Sequence, residues 1–287
     1  MIKIIINPSS TKGLKLWKDV KKRLEESHIK YDSVITWQGH TAHAAKKAQE
    51  EGFKKIFIVG GDGTINEVIN GLDLEDIILG IIPAGCGNDF AKMLGIKSIE
   101  DGISSILSGY IKLVDVGFVN NRYFINSLGV GLDARIVYIA DRLRNIKNRV
   151  KYLVSALTTL LNFPAFNVKI ESKDYKFSGH VLGISVGNGK FHGGLFSLTP
   201  RAQIDDGLLD ICVIKKISML KRFFNVQKAI RGTHIFLKET QIFTADSFSI
   251  HSKTPFHIHV DGEFVNCPLN KLEVKVLNKQ LQFCLPV

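Results

Sequence analysis

The feature of this sequence that most constrains the fold is an apolar run followed at once by a cluster of glycines. It lies in the stretch Lys55–Leu72, KIFIVGGDGTINEVINGL. Ile56–Val59 is short, apolar and rich in β-branched residues, which is typical of a buried parallel strand. Gly60, Gly61 and Gly63 let the backbone turn sharply and come close to a bulky group, because no side chain stands in the way. The stretch therefore predicts a strand that ends in a glycine-rich turn.

A helix should begin directly after this turn. Thr64 and Glu67 have the T-x-x-E spacing of a capping box. The first N–H groups of a helix and the positive end of its dipole form an anion site. Asp62 would repel a bound phosphate unless a cation lay between them, which favours a nucleotide bound with Mg²⁺. The alternative is an ordinary strand-to-helix turn of an α/β domain.

Two long motifs in this part of the chain resemble the catalytic-domain signature of the diacylglycerol kinase family of bacterial lipid kinases. They are GGDGTINEVING and IPAGCGNDFAK, the second covering residues 82–92. The resemblance implies an N-terminal α/β nucleotide domain and a β-rich C-terminal domain, with the active site in the cleft between them. It covers nearly the whole chain and continues through Asn7-Pro8, Asp115–Gly117, Phe124–Ala134, Asn188-Gly189, Pro200–Asp210 and Asp261–Glu263.

The order of elements gives the same division of the chain. Strands alternate with helices in the first part, which predicts a parallel sheet whose strand ends at Asn7, Gly60 and Pro83 converge on one edge. From about residue 112 short strands dominate, around one long predicted helix at 133–161. We predict a nucleotide-binding α/β domain at 1–117 and a β-rich lipid-substrate domain at 118–279. By resemblance, the last strand, 280–287, returns to the first domain.

Composition limits the class of partner and the compartment. The 287 residues carry a formal net charge of +11, which suits a nucleotide, a nucleic acid or an anionic lipid surface. The four cysteines form no C-x-x-C pair, so we expect reduced thiols in a cytoplasmic protein. The longest apolar stretch has about 12 residues, whereas a membrane-spanning helix needs about 20. We therefore expect no transmembrane segment.

The resemblance implies a set of nucleotide-binding residues at the predicted strand ends. The family usually has threonine at the position of Cys86, so one expected hydrogen bond to the phosphates is lost here. On pattern alone, Asn88 and Asp89 cap a helix, and Thr36 is an ordinary strand residue. The implied set is Asn7, Ser9, Thr36, Gly60, Gly61, Asp62, Gly63, Thr64, Asn66, Glu67, Cys86 and Asn88.

Two metal sites also follow from the resemblance. Asp62, Asp89 and Asp115 are implied to arrange a Mg²⁺ ion beside the nucleotide, although a lone aspartate such as Asp115 is more often a turn residue. A structural divalent cation is implied at the Asp205–Gly207 turn, held by the Asp206 carboxylate. The backbone carbonyl groups of Gln203 and Leu208 complete that set. On pattern alone, the Asp-Gly pair favours a hairpin turn.

The candidate catalytic residues lie near the end of the chain. His257, His259, Asp261 and Glu263 alternate and would share one face of a strand. For this face a metal site is less favoured than a half-exposed polar surface, because no further cluster supplies the remaining ligands. In the family, the acids of the Asp261-Gly262-Glu263 turn face the γ-phosphate and accept the proton of the attacking hydroxyl group. Asp62 is a competing base.

We expect an ATP- and Mg²⁺-dependent lipid kinase that phosphorylates a hydroxyl group of diacylglycerol or a similar lipid. It would bind the cytoplasmic membrane surface peripherally and bind no nucleic acid, and the oligomeric state, including a homodimer, is left open. One alternative is a soluble NAD kinase, although the N-D-F-A end of the second motif favours lipid kinases. Another is a non-catalytic regulator that binds nucleotide or nucleic acid, which no RNA-binding or helix-turn-helix pattern supports.

Overall fold

The computed structural model describes residues 1–8, 13–108, 110–143, 146 and 148–286. The chain divides into two compact units. The first contains Met1–Val116 together with Lys279–Val287, and the second contains Gly117–Asn278.

The first unit alternates strands with helices, as its sequence predicts. The first helix, Gly13–Glu26, buries Leu16, Val20 and Leu24, which repeat every four residues and form its apolar face against the sheet. The strands run over Ile2–Ile6 (β1), Tyr31–Ile35 (β2), Lys55–Gly60 (β3) and Ile78–Pro83 (β4). The helices run over Gly13–Glu26 (α1), Thr41–Glu50 (α2), Asp62–Ile69 (α3), Asp89–Met93 (α4) and Ile99–Ser108 (α5).

The four strands pair in parallel in the order β2-β1-β3-β4. Near their ends Ile6 is in register with Ile35 and with Val59, and Gly60 is in register with Pro83. Because parallel strands end on the same edge of a sheet, the segments after β1, β3 and β4 leave it side by side. This is the edge at which open α/β sheets bind ligands.

The end of the chain completes this sheet. A long strand, β13, spans Glu263–Leu285 and pairs in parallel with β4 through Gln282 and Phe283. Where it enters the first unit, Lys279 has a left-handed backbone conformation with φ of 50°. The buried carboxylate of Asp115 accepts the N–H of Lys279 at 2.7 Å. Asp115 therefore fixes the point at which the returning strand joins the unit.

The second unit is mainly antiparallel. The strands run over Tyr110–Val119 (β5, which begins in the first unit), Arg122–Phe124 (β6), Ser127–Gly131 (β7), Phe166–Ser172 (β8), Lys176–Gly187 (β9), Leu209–Lys215 (β10), Thr240–Ala245 (β11) and Ser247–Val260 (β12). β7 pairs with β9 and β12, β10 lies between β9 and β11, and β8 pairs with β9 and β12. The helices run over Leu132–Ala140 (α6), Asn148–Asn162 (α7) and Met219–Arg231 (α8), with a short 3₁₀ helix at Thr233–Phe236.

Two expectations for this unit were wrong. The long helix predicted at 133–161 is two helices, α6 and α7. The Asp-Gly pair at 206–207 is not the tight turn of a hairpin, because it lies at the end of the long connection from β9 to β10. Instead, the Asp206 carboxylate accepts the N–H of Leu208 at 3.1 Å, and Gly207 has φ of 75°. The pair therefore makes a local side-chain turn that leads into β10.

Replacing Asp115 with alanine should destabilise the first unit, because Lys279 loses a hydrogen bond to a charged acceptor. We expect the free energy of unfolding to fall by about 2 kcal/mol. Urea unfolding of the variant measures this value, and Asp19→Ala, an exposed change on α1, is the matched control. An unchanged stability with altered Mg²⁺ dependence of activity would instead assign Asp115 to the metal.

Candidate functional site

The segments that follow β3 and β4 touch through glycine backbone. A Cβ atom on Gly61 would lie 2.9 Å from the Cα atom of Gly85, and one on Gly85 would lie 2.6 Å from the Cα atom of Gly61. Real Cβ atoms do not come this close to backbone. The two glycines are therefore required for the two loops to lie against each other, independently of any ligand.

Asp62 joins the same two loops by hydrogen bonds. Its Oδ2 accepts the N–H of Asp89 and its Oδ1 accepts the N–H of Phe90, both at 3.0 Å. These are the first two residues of α4, so the carboxylate of Asp62 caps that helix from the other loop. The expectation that the side chain of Asn88 caps α4 was wrong. Asn88 bonds instead to the N–H and C=O of Gly85, at 2.9 and 3.0 Å.

The capping box predicted for α3 was also wrong. Helix α3 begins at Asp62 with Gly61 as its N-cap, so Thr64 lies inside the first turn. The Glu67 carboxylate reaches a different helix and accepts the N–H groups of Gly39 and Thr41, at 3.1 and 3.2 Å. It caps α2. The sequence spacing was correct for a capping box, but the helix starts three residues earlier than the box requires.

Several predicted nucleotide residues gather at the ends of β1 and β3. The amide of Asn7 donates to the hydroxyl of Thr64 at 3.1 Å, and both side chains are buried. A Cβ on Gly60 would lie 2.6 Å from this hydroxyl, so Gly60 leaves room for it. A Cβ on Gly63 would meet no atom of the described residues within 4 Å, so these residues leave that side of α3 open.

The remaining candidate nucleotide-binding residues differ in their exposure to solvent. Thr36 is buried, and its N–H donates to the carbonyl of Ile6 at 2.8 Å. Asn66 is also buried, whereas Cys86 is exposed in the loop after β4. Ser9 lies outside the described residues.

Asp62 and Asp89 are the two predicted metal ligands that lie near each other. From the position of a Cβ on Gly87, Asp62 Oδ2 would be 3.0 Å away and Asp89 Oδ2 3.7 Å away. Lys92 donates to Asp89 at 3.1 Å. In the described part of the chain, no three His, Cys, Asp or Glu side chains converge to hold a metal. The pair suits Mg²⁺, which takes one or two carboxylates and completes its shell with phosphate and water oxygens.

Next to the turn proposed for the structural cation, β10 carries a carboxylate, that of Asp210, which sequence reasoning missed. Burial raises the pKa of Asp210 to about 6, and the charge of Asp206 adds to this effect while Arg201 and Lys190 oppose it. The two carboxylates therefore repel each other, which is the setting that a divalent cation relieves. A lone acid in the apolar run LLDICVI was the available signal.

In the second unit, the side chain of Asp261 bonds to the backbone of another segment of the chain. It has φ of 47°, and its carboxylate accepts three N–H groups at 2.7–2.9 Å, those of Ile125, Asn126 and Ser127. Glu263 differs because its carboxylate is partly exposed and pairs with the guanidinium of Arg122 at 2.8 Å. Of the two acids in this turn, Asp261 is bonded to backbone N–H groups and Glu263 is held by an ion pair.

The same turn rests on a buried histidine. The N–H of Gly262 donates to His259 Nδ1 at 3.3 Å. On the other side of the ring, Nε2 lies 3.4 Å from the carboxylate of Asp133. Nδ1 accepts a hydrogen bond, so a proton on the ring is carried by Nε2, the nitrogen that lies beside Asp133. A Cβ on Gly129 would lie 2.2 Å from Nε2, so glycine is required there.

Competing effects set the protonation state of the Asp133 carboxyl group. Burial raises the pKa of its carboxyl, but the imidazoles of His259 and His192 and a hydrogen bond from Ser185 lower it to about 2. Ser185 donates to Asp133 at 2.8 Å. Asp133 is therefore anionic near neutral pH and orients His259. The expectation of a half-exposed polar face was wrong for His259, which is buried.

Among the described residues, no helix has the length and apolar character that crossing a bilayer requires.

Comparison with known proteins identifies the class. Residues 1–119 match the model of the Diacylglycerol kinase catalytic domain. Residues 126–283 match the model of the YegS C-terminal NAD kinase beta sandwich-like domain. An α/β catalytic domain followed by this β-rich domain defines a two-domain kinase, and the two-domain architecture expected from the sequence is confirmed.

Individual relatives match this chain over most of their length. The chain is 30% identical to a diacylglycerol kinase of Bacillus subtilis (strain 168) over 272 residues, which is 91% of this chain and 89% of the relative. It is 31% identical to a diacylglycerol kinase of Staphylococcus saprophyticus over 269 residues, 91% of this chain and 88% of the relative. The crystal structure of a candidate diacylglycerol kinase from Bacillus anthracis has a TM-score of 0.79 and 26% identity, covering 99% of this chain and 96% of that one. The chain belongs to the diacylglycerol kinase family and is a lipid kinase.

The glycine contact predicts different effects for two neighbouring substitutions. Gly61→Ala should lower the melting temperature, because the new Cβ forces the two loops apart. Gly63→Ala should leave it nearly unchanged, because its Cβ meets open space. Thermal unfolding of the two variants provides the comparison. Equal losses at both positions would show that glycine flexibility, rather than the contact with Gly85, matters here.

Proposed function

We propose that this lipid kinase transfers the γ-phosphoryl group of ATP, with Mg²⁺, to a hydroxyl group of diacylglycerol or a similar lipid. It would act as a peripheral protein at the cytoplasmic face of a membrane. The observation that carries the nucleotide part is the pair of glycine loops joined by Asp62 at the ends of β3 and β4.

The phosphates would bind at the start of α3. The first N–H groups of a helix have no partner within it and carry the positive end of its dipole. Gly61 and Gly63 add no side chain at this point, and no described residue covers the side of the helix at Gly63. Asn7 and Thr64 lie at the adjacent strand end. These groups would orient the triphosphate.

Asp62 and Asp89 would hold Mg²⁺ against the phosphates. The ion, when bound, neutralises charge that develops on the transferred group. Asp62 would both cap α4, through the two backbone N–H groups that its oxygens accept, and bind the ion, because Mg²⁺ prefers carboxylate oxygens as ligands. Asp206, with the carbonyl groups of Gln203 and Leu208, would hold the structural cation, and Asp210 lies beside it.

Glu263 would accept the proton of the lipid hydroxyl group. Such a hydroxyl ionises far above neutral pH and needs a base as it attacks phosphorus. Asp261 is less suited because three of its lone pairs face backbone N–H groups. It would act as a positioning residue for the turn. The ion pair with Arg122 would fix the orientation of the Glu263 carboxylate.

Turnover with a panel of acceptors tests this proposal. Radiolabelled ATP is supplied with Mg²⁺ and mixed micelles that contain diacylglycerol, phosphatidylglycerol, a sphingoid base or a polyprenol, and NAD is tested in parallel. We expect label in a lipid, its loss with EDTA and its return with added Mg²⁺. Label in NAD with none in any lipid would favour the NAD kinase alternative and reject the proposal.

Replacing the base should separate chemistry from nucleotide binding. Glu263→Gln should lower kcat by about 100-fold or more, the scale of a lost general base, with the KM for ATP little changed. Glu273→Gln, an exposed change on the same strand, is the matched control. Asp261→Asn should lower kcat and the melting temperature together, because an amide N–H would face backbone donors. Full turnover of Glu263→Gln would remove Glu263 from the mechanism.

A further inference from the structure

Helix α8 and the 3₁₀ helix after it expose large apolar side chains. The exposed fractions are 74% for Leu220, 79% for Phe224 and 75% for Phe236. Leu220 and Phe224 are one helical turn apart and therefore lie on the same side of α8. A soluble surface rarely keeps adjacent large apolar groups exposed without a partner.

The charge around these residues has one sign. Residues 211–238 contain seven Lys or Arg and no Asp or Glu. Lys228 and Arg231 are exposed and share the outer side of α8 with Phe224. The nearest acid in the following sequence, Glu239, pairs with Lys221 at 2.6 Å. The outer face of α8 therefore combines apolar side chains with the positive charges of Lys228 and Arg231, for which the described part of the chain shows no ion pair.

The inner side of α8 is fixed within the second unit. Arg222 donates to the carbonyl groups of Leu160 and Phe163, at 3.0 and 2.9 Å, and so caps the end of α7. Val226 is buried in the apolar cluster beneath the helix. Because this side is held by hydrogen bonds and packing, the helix cannot rotate to bury Leu220 and Phe224.

We propose that Leu220, Phe224 and Phe236 form a docking surface for an anionic lipid bilayer. The three apolar side chains enter the headgroup region, while Lys228 and Arg231 contact lipid phosphates. Interfacial helices bind in this way, through buried apolar area together with attraction to anionic lipids. The proposal rests on the proposed function, because a kinase with a membrane lipid as substrate must reach the membrane surface.

Vesicle co-sedimentation tests the surface without any turnover. The full chain is mixed with vesicles of phosphatidylglycerol and phosphatidylcholine, or of phosphatidylcholine alone. We expect binding to the anionic vesicles that weakens with added salt. The double variant Leu220→Ser/Phe224→Ser should bind at least about tenfold more weakly, a loss of about 1.4 kcal/mol. Leu107→Ser, an exposed apolar residue on α5, is the control and should bind as wild type.

A variant with reversed charges tests the electrostatic part of the proposal independently. Lys228→Glu/Arg231→Glu should lose binding to anionic vesicles, whereas Lys173→Glu, an exposed lysine in the turn between β8 and β9, should not. Wild-type failure to bind anionic vesicles, or unchanged binding by both double variants, would overturn the proposal. So would a wild-type dimer that the apolar double variant converts to a monomer with vesicle binding unchanged, because α8 would then contact a second copy.

A soluble substrate separates this test from that of the proposed function. With a short-chain diacylglycerol below its micelle concentration, the apolar double variant should keep wild-type turnover. Vesicle binding without turnover of any lipid would support the docking surface and reject the substrate. Turnover of the soluble lipid together with normal vesicle binding by both double variants would reject the docking surface alone.

Discussion

The structure of the candidate nucleotide site depends on one carboxylate that bonds to the backbone of a neighbouring loop. Asp62 lies just after the end of β3, and its carboxylate accepts the first two N–H groups of α4, which lie 27 and 28 residues further along the chain. Without these bonds, the start of α4 would lack its acceptor. With them, Gly61 and Gly85 are held at backbone contact. The two glycine-rich motifs therefore form a single site rather than two separate turns.

The second unit uses the same kind of bond for its own acidic turn. The Asp261 carboxylate accepts three consecutive N–H groups just before and at the start of β7. His259 accepts the N–H of Gly262, and Asp133 lies beside the His259 ring. Acids that look catalytic in the sequence are thus used first to fix the backbone. This explains how a short turn can present Glu263 in one orientation. In the function that we propose, the two acids would have different roles, with Asp261 as support for the turn and Glu263 as the base.

Local patterns predicted what depends on local sequence. The alternation of apolar strands and amphipathic helices placed the strand ends of the first unit, and the glycine motifs indicated the site. Partners distant in the chain could not be predicted, since periodicity says nothing about them. Glu67 caps α2 rather than α3, and Asp62, not Asn88, caps α4. The burial of His259 against Asp133 was missed for the same reason. Gly129 is required there only because the ring of a residue far along the chain occupies the space.

The most direct measurement of the central claim is amide hydrogen exchange at residues 89 and 90 in the wild type and in Asp62→Ala. In the wild type, both amides should be protected, because each donates to Asp62. In the variant, both should exchange much faster while the amides of β3 and β4 keep their protection. Equal exchange at residues 89 and 90 in the two proteins would show that Asp62 does not hold α4, and would contradict the account of the site given above.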